Sequence, residues 1–305
     1  MTAAGPIAGP PAATAAAAPD AVVRHVTLDA AGVALSALLA EPAAGGDPRA
    51  LVVAVHGGGM TAGYFDAPAR PALSLLRLGA ALGYTVLAVD RPGYGGSAAA
   101  LPRGLTVAEQ TPLLRAAVAG YAARRPTGAG VFLLAHSFGG KLAVSAAAHA
   151  EDGDRLLGVE VSGCGRRYAP GVVPGAADRA DRRRHWGPLR LYPPATFRTG
   201  AAVVAPMPER EAADLARWPE LFGRLAPRVR VPVRLTFAEH ERWWVHEGAE
   251  PAAMAACFTA APRTAVDRRP DAGHNLSLGW AARAYHLGAL AFLEECLVPA
   301  AVSRG

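Results

Sequence analysis

Ser137 stands where a hydroxyl could be made to do chemistry. The apolar run Val131 to His136 reads as a buried strand, and Leu142 to Ala150 is alanine-rich and free of proline, as a helix requires. Ser137 falls at the corner between them, in His136-Ser137-Phe138-Gly139-Gly140, so its side chain would be lifted above a sheet. Such a corner needs small neighbours, because the backbone is strained and helix and strand come close together. Gly139 and Gly140 meet that need. Ala135 occupies the first glycine position of a G-x-S-x-G pattern, and a methyl group is the smallest departure from it. The plainer reading is an ordinary turn that happens to carry a serine. A second stretch, His56-Gly57-Gly58-Gly59-Met60, ends the apolar run Leu51 to Val55. Three glycines at a strand end leave backbone N–H groups unshielded, as a loop that stabilises an anion requires.

The elements that would position these residues alternate in type. Val22 to Leu28 and Val33 to Leu39 read as a hairpin turning through Asp29-Ala30-Ala31-Gly32, and Leu51 to Val55 as a strand covered on both faces. Arg70 to Leu82 has helical spacing and stops at Gly83, and Thr85 to Asp90 is the next strand. The loop Arg91-Pro92-Gly93-Tyr94-Gly95-Gly96-Ser97 follows, with Asp90 and Arg91 read as structural turn residues. A helix from Thr106 to Arg125 opens with a capping box, Thr106 and Glu109. Leu156 to Ser162 is a further strand. From Arg166 to Pro227 the chain becomes rich in arginine, proline and aromatic residues, which breaks the rhythm as a lid over a pocket would. Strand and helix return with Val231 to Ala238, Ala249 to Thr259, a short strand near Thr264 to Val266, and a closing helix, Trp280 to Leu297. The expected organisation is therefore a tail at 1–20, core at 21–165, lid at 166–227, core again at 228–299, and a tail at 300–305.

Composition narrows the function. The chain has 305 residues, 51% hydrophobic and 18% charged, enough for one large core. Met1 to Asp20 is almost wholly Ala, Pro, Gly and Thr, and reads as a disordered tail rather than a signal peptide. Nothing has the length and apolarity of a membrane span, so a cytoplasmic protein, monomer or homodimer, is expected. Cys164, Cys257 and Cys296 are too scattered for a disulfide framework or a zinc site. The net charge of +6 comes from thirty arginines and the single lysine Lys141, a codon-bias pattern that argues against nucleic acid as partner. Arg179, Arg182, Arg183 and Arg184 cluster locally. They would fit the phosphopantetheine arm or acidic surface of a carrier protein, against the plainer reading of a solvated helical face.

With five motifs in order, each at a strand end, the chain resembles the α/β-hydrolase superfamily over residues 22 to 298. They are His56-Gly57-Gly58-Gly59, Asp90 to Ser97, His136 to Gly140, Ala238-Glu239-His240-Glu241 and Ala272-Gly273-His274-Asn275. The resemblance implies a mostly parallel eight-stranded α/β sheet flanked by helices, with the lid inserted after strand six. It also implies a nucleophile, acid and histidine in that order, which Ser137 and His274 fit at either end. His25, His149, His246 and His286 read instead as surface or core residues. For the acid, Glu241 follows if Ala238 stands for the glycine of the family's Gly-x-x-Asp setting, and Glu239 is the alternative. The oxyanion would meet the N–H of Phe138 and one from the turn at Gly58, Gly59 and Met60.

The implied activity is cleavage of a carboxylic ester, lactone or thioester through an acyl-enzyme, with no metal or cofactor. The expected substrate is a small apolar molecule in a pocket walled by Met60, Trp186, Tyr192, Trp243 and Trp244, together with Phe138. Two other readings stay open: acyl transfer or cyclisation in small-molecule biosynthesis, and a binding protein with a decayed site.

Overall fold

Two antiparallel strands begin the fold, β1 (Val23–Ala30) and β2 (Val33–Ala40). Their turn is only Ala31 and Gly32, both at positive φ (53° and 89°), the two-residue geometry that matches strand twist. Asp29 and Ala30, expected in the turn, extend the strand, and the Asp29 carboxylate accepts the Gly32 N–H at 2.8 Å. The computed structural model describes residues 21–42, 45–175, 179–200 and 203–302. The tail read at Met1 to Asp20 lies outside the described residues.

Four further strands then alternate with helices: β3 (Leu51–Val55), α1 (Leu75–Ala81), β4 (Thr85–Val89), α2 (Val107–Ala122), β5 (Val131–His136), α3 (Phe138–Ala148) and β6 (Leu156–Ser162). After them come α4 (Arg179–Trp186), α5 (Glu209–Asp214), α6 (Trp218–Leu225), β7 (Val233–His240), α7 (Glu250–Ala255), β8 (Thr264–Gly273) and α8 (Ala282–Val302). The strands form one eight-stranded sheet in the order β1-β2-β4-β3-β5-β6-β7-β8. β2 meets β4 antiparallel, and β3 to β8 run parallel, so the expected mostly parallel sheet with flanking helices is present.

Every residue of β3, β4 and β5 is buried, because both faces of the sheet are covered. Alternation then divides the core in two. Leu51, Val53, Val55 and Leu133 join one apolar cluster, while Val52, Ala54, Phe132 and Leu134 join the other across the sheet. The parallel strands bring their C-terminal ends to one edge, where the chain leaves β3 at His56, β4 at Asp90, β5 at Ser137, β7 at Glu241 and β8 at His274. Loops at that edge of an open α/β sheet are where ligands bind.

Three elements differ from their expected extents. β8 continues to Gly273 rather than stopping near Val266, since Asp267, Arg268 and Arg269 sit on an edge strand where charged side chains can reach water. α8 runs on to Val302, so the tail placed at 300–305 is helical in its first three residues. Part of the segment 166–227 packs into the core. α6 buries Trp218, Phe222 and Leu225 in the same cluster as β5 and α3, and each such side chain contributes about 1.5–3 kcal/mol of hydrophobic stabilisation.

Candidate functional site

Ser137 has φ 53° and ψ −116°, a conformation that costs a non-glycine residue about 1–3 kcal/mol. Local contacts hold it there. Its N–H donates to Ser162 O at 2.8 Å, and its carbonyl accepts the Gly140 N–H at 2.9 Å. Gly139 lies so close to β3 that a Cβ would sit 2.6 Å from His56 O and closer still to Val55 O, so the helix can approach the strand only there without a side chain. Ala135 is wholly buried and its methyl group is accommodated. α3 begins at Phe138, four residues earlier than the alanine-rich pattern indicated, and the strained serine is what sets its start.

The Ser137 Oγ lies 3.1 Å from His274 Nε2, and His274 Nδ1 lies 2.7 Å from Glu241 Oε2. The other carboxylate oxygen, Oε1, accepts the N–H groups of Arg242 at 2.9 Å and Trp243 at 2.8 Å. Burial alone would raise the Glu241 pKa, but the His274 charge, its hydrogen bond and the two backbone N–H groups together hold it below the ordinary value. An ionised carboxylate on Nδ1 fixes the tautomer in which Nε2 can accept the serine proton. Glu239 points elsewhere: it is exposed and accepts the Asp271 N–H at 2.8 Å. Beside the row, the His136 ring stacks on Tyr64 and stands 4.7 Å from the His274 ring. Burial and then the neighbouring histidines push its pKa well down, so it stays neutral.

The glycine loop after β3 is braced from below by Arg91, which is fully buried. Arg91 Nε donates to His56 O at 2.8 Å and Nη2 to Gly57 O at 3.2 Å, while its backbone N–H donates to His56 Nε2 at 3.1 Å. His56 Nδ1 therefore carries the proton and donates to Gly57 O at 2.8 Å. With Gly57 O turned toward Arg91, the trans peptide directs the Gly58 N–H the opposite way. The Gly59 N–H is already engaged, donating to Tyr94 Oη at 3.0 Å, which corrects its expected place among the oxyanion donors. Phe138, the first residue of α3, has an N–H without an intrahelical acceptor. Glu211 of α5 completes the brace: it pairs with Arg91, and it accepts the Tyr94 hydroxyl at 2.7 Å and the Gln110 amide at 2.8 Å. The motif contained Arg91 and Tyr94, read as turn residues. Glu211 had no sequence signal.

Ser137 opens into a cavity of about 320 Å³ bounded by Gly58, Phe138, Tyr168, Met207, Leu215, Trp243 and Trp244. Of the residues expected to wall the pocket, Trp243 and Trp244 line this cavity, whereas Met60, Trp186 and Tyr192 do not. Met60 is buried against the second apolar cluster and bridges to Val204, and Trp186 and Tyr192 pack edge-on against each other and Phe197. Lys141 also lines the cavity, a residue the sequence gave no reason to place there. Of the arginine cluster, Arg184 lies over the Trp243 ring and donates to Gly171 O at 3.1 Å, and Arg183 is exposed. The side chains of Arg179 and Arg182 lie outside the described residues. Among the described residues no three His, Cys, Asp or Glu side chains converge as a metal would require, and no helix is long and apolar enough to cross a membrane.

The profile of the alpha/beta hydrolase family matches residues 52–284, which spans β3 to the start of α8. The chain belongs to the alpha/beta hydrolase family. As an alpha/beta hydrolase it has many structural neighbours of low sequence identity. A thermophilic esterase from Thermogutta terrifontis is 19% identical at a TM-score of 0.59, covering 90% of this chain and 99% of its own. The enol-lactonase from Burkholderia xenovorans LB400 is 18% identical at 0.61, covering 89% and 100%. The thioesterase domain from the curacin biosynthetic pathway is 16% identical at 0.57, covering 88% and 99%. No curated protein matches this alpha/beta hydrolase in sequence.

Proposed function

We propose that this alpha/beta hydrolase is a serine hydrolase that cleaves a carboxylic ester, lactone or thioester through an acyl-enzyme. The observation that carries the reading is the unbroken row from Ser137 Oγ through His274 to Glu241, opening into an apolar cavity. Ser137 Oγ attacks the substrate carbonyl carbon while its proton passes to His274 Nε2, and Glu241 stabilises the imidazolium. The carbonyl oxygen becomes an oxyanion, met by the N–H groups of Phe138 and Gly58. Collapse breaks the bond to the leaving alcohol or thiol, which takes the proton from His274. Water then repeats the sequence on the acyl-serine and releases the acid. The esterase, lactonase and thioesterase among the structural neighbours support this class, since all three names describe acyl transfer to water. The segment between β6 and β7 supplies Tyr168, Met207 and Leu215 to the cavity, and we assign it the role of a lid.

A fluorophosphonate probe tests the reading directly. It should add covalently to Ser137, with the adduct located by peptide mass spectrometry, and Ser137→Ala should abolish both labelling and ester turnover while the fold is kept. A folded wild-type protein that neither labels nor hydrolyses p-nitrophenyl esters would end it. Product analysis with an added alcohol or amine distinguishes transfer from hydrolysis.

A further inference from the structure

Lys141 is the only lysine in the chain, and it lies on α3 one helical turn after Ser137. It is almost wholly buried, yet it lines the cavity onto which Ser137 opens. Its ammonium is boxed by four rings: Trp244 at 5.3 Å, Phe138 and Trp218 at 5.5 Å, and Tyr168 at 5.6 Å. One N–H donates to Tyr168 Oη at 3.1 Å, and that hydroxyl itself donates to Leu215 O. No other hydrogen bond or ion pair of Lys141 exists among the described residues, so two of its three donors lack an acceptor. The nearby acids are committed elsewhere. Glu211 pairs with Arg91, and Asp214 accepts the Val107 N–H and lies 3.9 Å from Arg217. A buried ammonium with no counter-charge is costly, and ring faces compensate for only part of it.

We infer that Lys141 binds a carboxylate on the substrate, so that the site takes an ester or thioester whose acyl chain ends in a free carboxylate. This rests on the serine-hydrolase reading. Helical side chains lean back toward the N-terminus, which directs the Lys141 stem toward the Ser137 turn. Ser137 and Lys141 line the same cavity, so a short dicarboxylic acid can be joined to Ser137 at one end and paired with Lys141 at the other. The acyl part stays on the serine through both half-reactions, so a charge placed there remains anchored throughout. The surrounding rings exclude water and strengthen the pairing. The charged and titratable groups facing the ammonium are Cys164 after β6, Asp214 and Glu211 on α5, and Arg91 after β4. Burial, the largest influence, lowers the Lys141 pKa to about 8, with Cys164, Asp214 and Glu211 opposing and Arg91 assisting. At neutral pH the ammonium is therefore charged, and it loses that charge as pH rises through about 8, a transition that a bound anion moves upward.

The test compares the p-nitrophenyl monoester of glutaric acid with p-nitrophenyl pentanoate, alike in length but differing in charge. Wild type should favour the glutarate ester in kcat/KM, mainly through KM, and Lys141→Met should lower the glutarate-to-pentanoate ratio by at least about 30-fold. In the wild type the same ratio should fall as pH is raised above 8. A preference for pentanoate, or a ratio unchanged in Lys141→Met, overturns the anchor while leaving the hydrolase reading intact. If Lys141→Met does not fold, Lys141→Gln and the wild-type pH dependence decide instead, and a ratio flat from pH 7 to 10 overturns it. Should neither ester react and Ser137 resist the fluorophosphonate, the hydrolase reading fails by itself. The anchor is then judged by calorimetric binding of glutarate to Ser137→Ala protein, which should be detectable and lost when Lys141→Met is added. Absence of glutarate binding overturns it.

Discussion

Glu241→Gln is the substitution whose effect the hydrogen bonds determine most sharply. A glutamine in the same place has one oxygen and one NH2 to offer, and the two ends of the carboxylate are not equivalent. Oε1 accepts two backbone N–H groups, Arg242 and Trp243, whereas Oε2 accepts only His274 Nδ1. If the amide oxygen faces Nδ1, the NH2 confronts two donors, and each donor left unpaired costs about 1–3 kcal/mol. The oxygen therefore turns to the backbone pair. The NH2 then faces Nδ1, which must accept, so the imidazole proton moves to Nε2 and points at Ser137. In that tautomer His274 cannot take the serine proton. The analogous change in a serine protease lowers kcat about ten-thousand-fold, which at 1.36 kcal/mol per decade is about 5.4 kcal/mol of barrier. The assay is kcat for a p-nitrophenyl ester together with the rate of phosphonylation of Ser137. Both should fall, with the thermal midpoint close to wild type. A loss under tenfold in a folded Glu241→Gln protein refutes the reasoning, as does an equal loss from Glu239→Gln, whose carboxylate accepts the Asp271 N–H and is exposed.

Three further outcomes are expected. Glu211→Gln should cost about 3–5 kcal/mol in urea unfolding, because it leaves Arg91 as an uncompensated buried charge. The double change Arg91→Met with Glu211→Leu should cost less than the sum of the singles, and strict additivity would count against the pairing. Gly139→Ala should prevent stable folding, read as loss of soluble protein, because its Cβ would overlap the β3 carbonyls; a native thermal midpoint would contradict the close approach. Finally, stability should fall as pH drops below about 6.5. His286, with a pKa lowered to about 3 by burial, and His56 and His136, also pushed well down by burial, are neutral when folded. Below 6.5 the unfolded chain takes up protons that the folded chain refuses, so the slope is about 1.4 kcal/mol per pH unit for each histidine. Equal urea midpoints at pH 7.5 and 5.5 would exclude this.

What could be read in the sequence was whatever depends on local chain geometry. The corner at Ser137 follows from an apolar strand, small residues and helix formers in succession, whereas Glu241, the carboxylate that meets His274, came only from the resemblance, with Ala238 standing for the glycine of the family's Gly-x-x-Asp setting and Glu239 left as the alternative. The walls of the cavity could not be read in this way. Tyr168 and Met207 lie outside any helix or named strand and Leu215 in a three-residue 3-10 turn, where no hydrophobic period marks a residue. Trp186 and Tyr192 have the composition of pocket residues but find each other and Phe197 instead. Lys141 stands out in the sequence only as its single lysine. Its burial depends on Tyr168, Trp218 and Trp244, which are brought together only by the tertiary fold.

The segment between β6 and β7 does more than line the cavity, because the glycine loop depends on it for its shape. Glu211 on α5 is the counter-ion that lets Arg91 lie buried, and Arg91 holds the carbonyls of His56 and Gly57. The same carboxylate accepts the Tyr94 hydroxyl, whose oxygen in turn accepts the Gly59 N–H. Three successive peptides of the loop are thus oriented through one acid from the inserted segment, and the Gly58 N–H is left as the one turned away from Arg91. Undocking α5 would therefore open the cavity wall at Ala212 and release the proposed oxyanion donor together. An alpha/beta hydrolase built in this way couples the shape of its substrate site to the readiness of its chemistry. Changes at Glu211 should accordingly lower kcat as well as raise KM, a combination that loss of cavity-wall contacts alone would not produce.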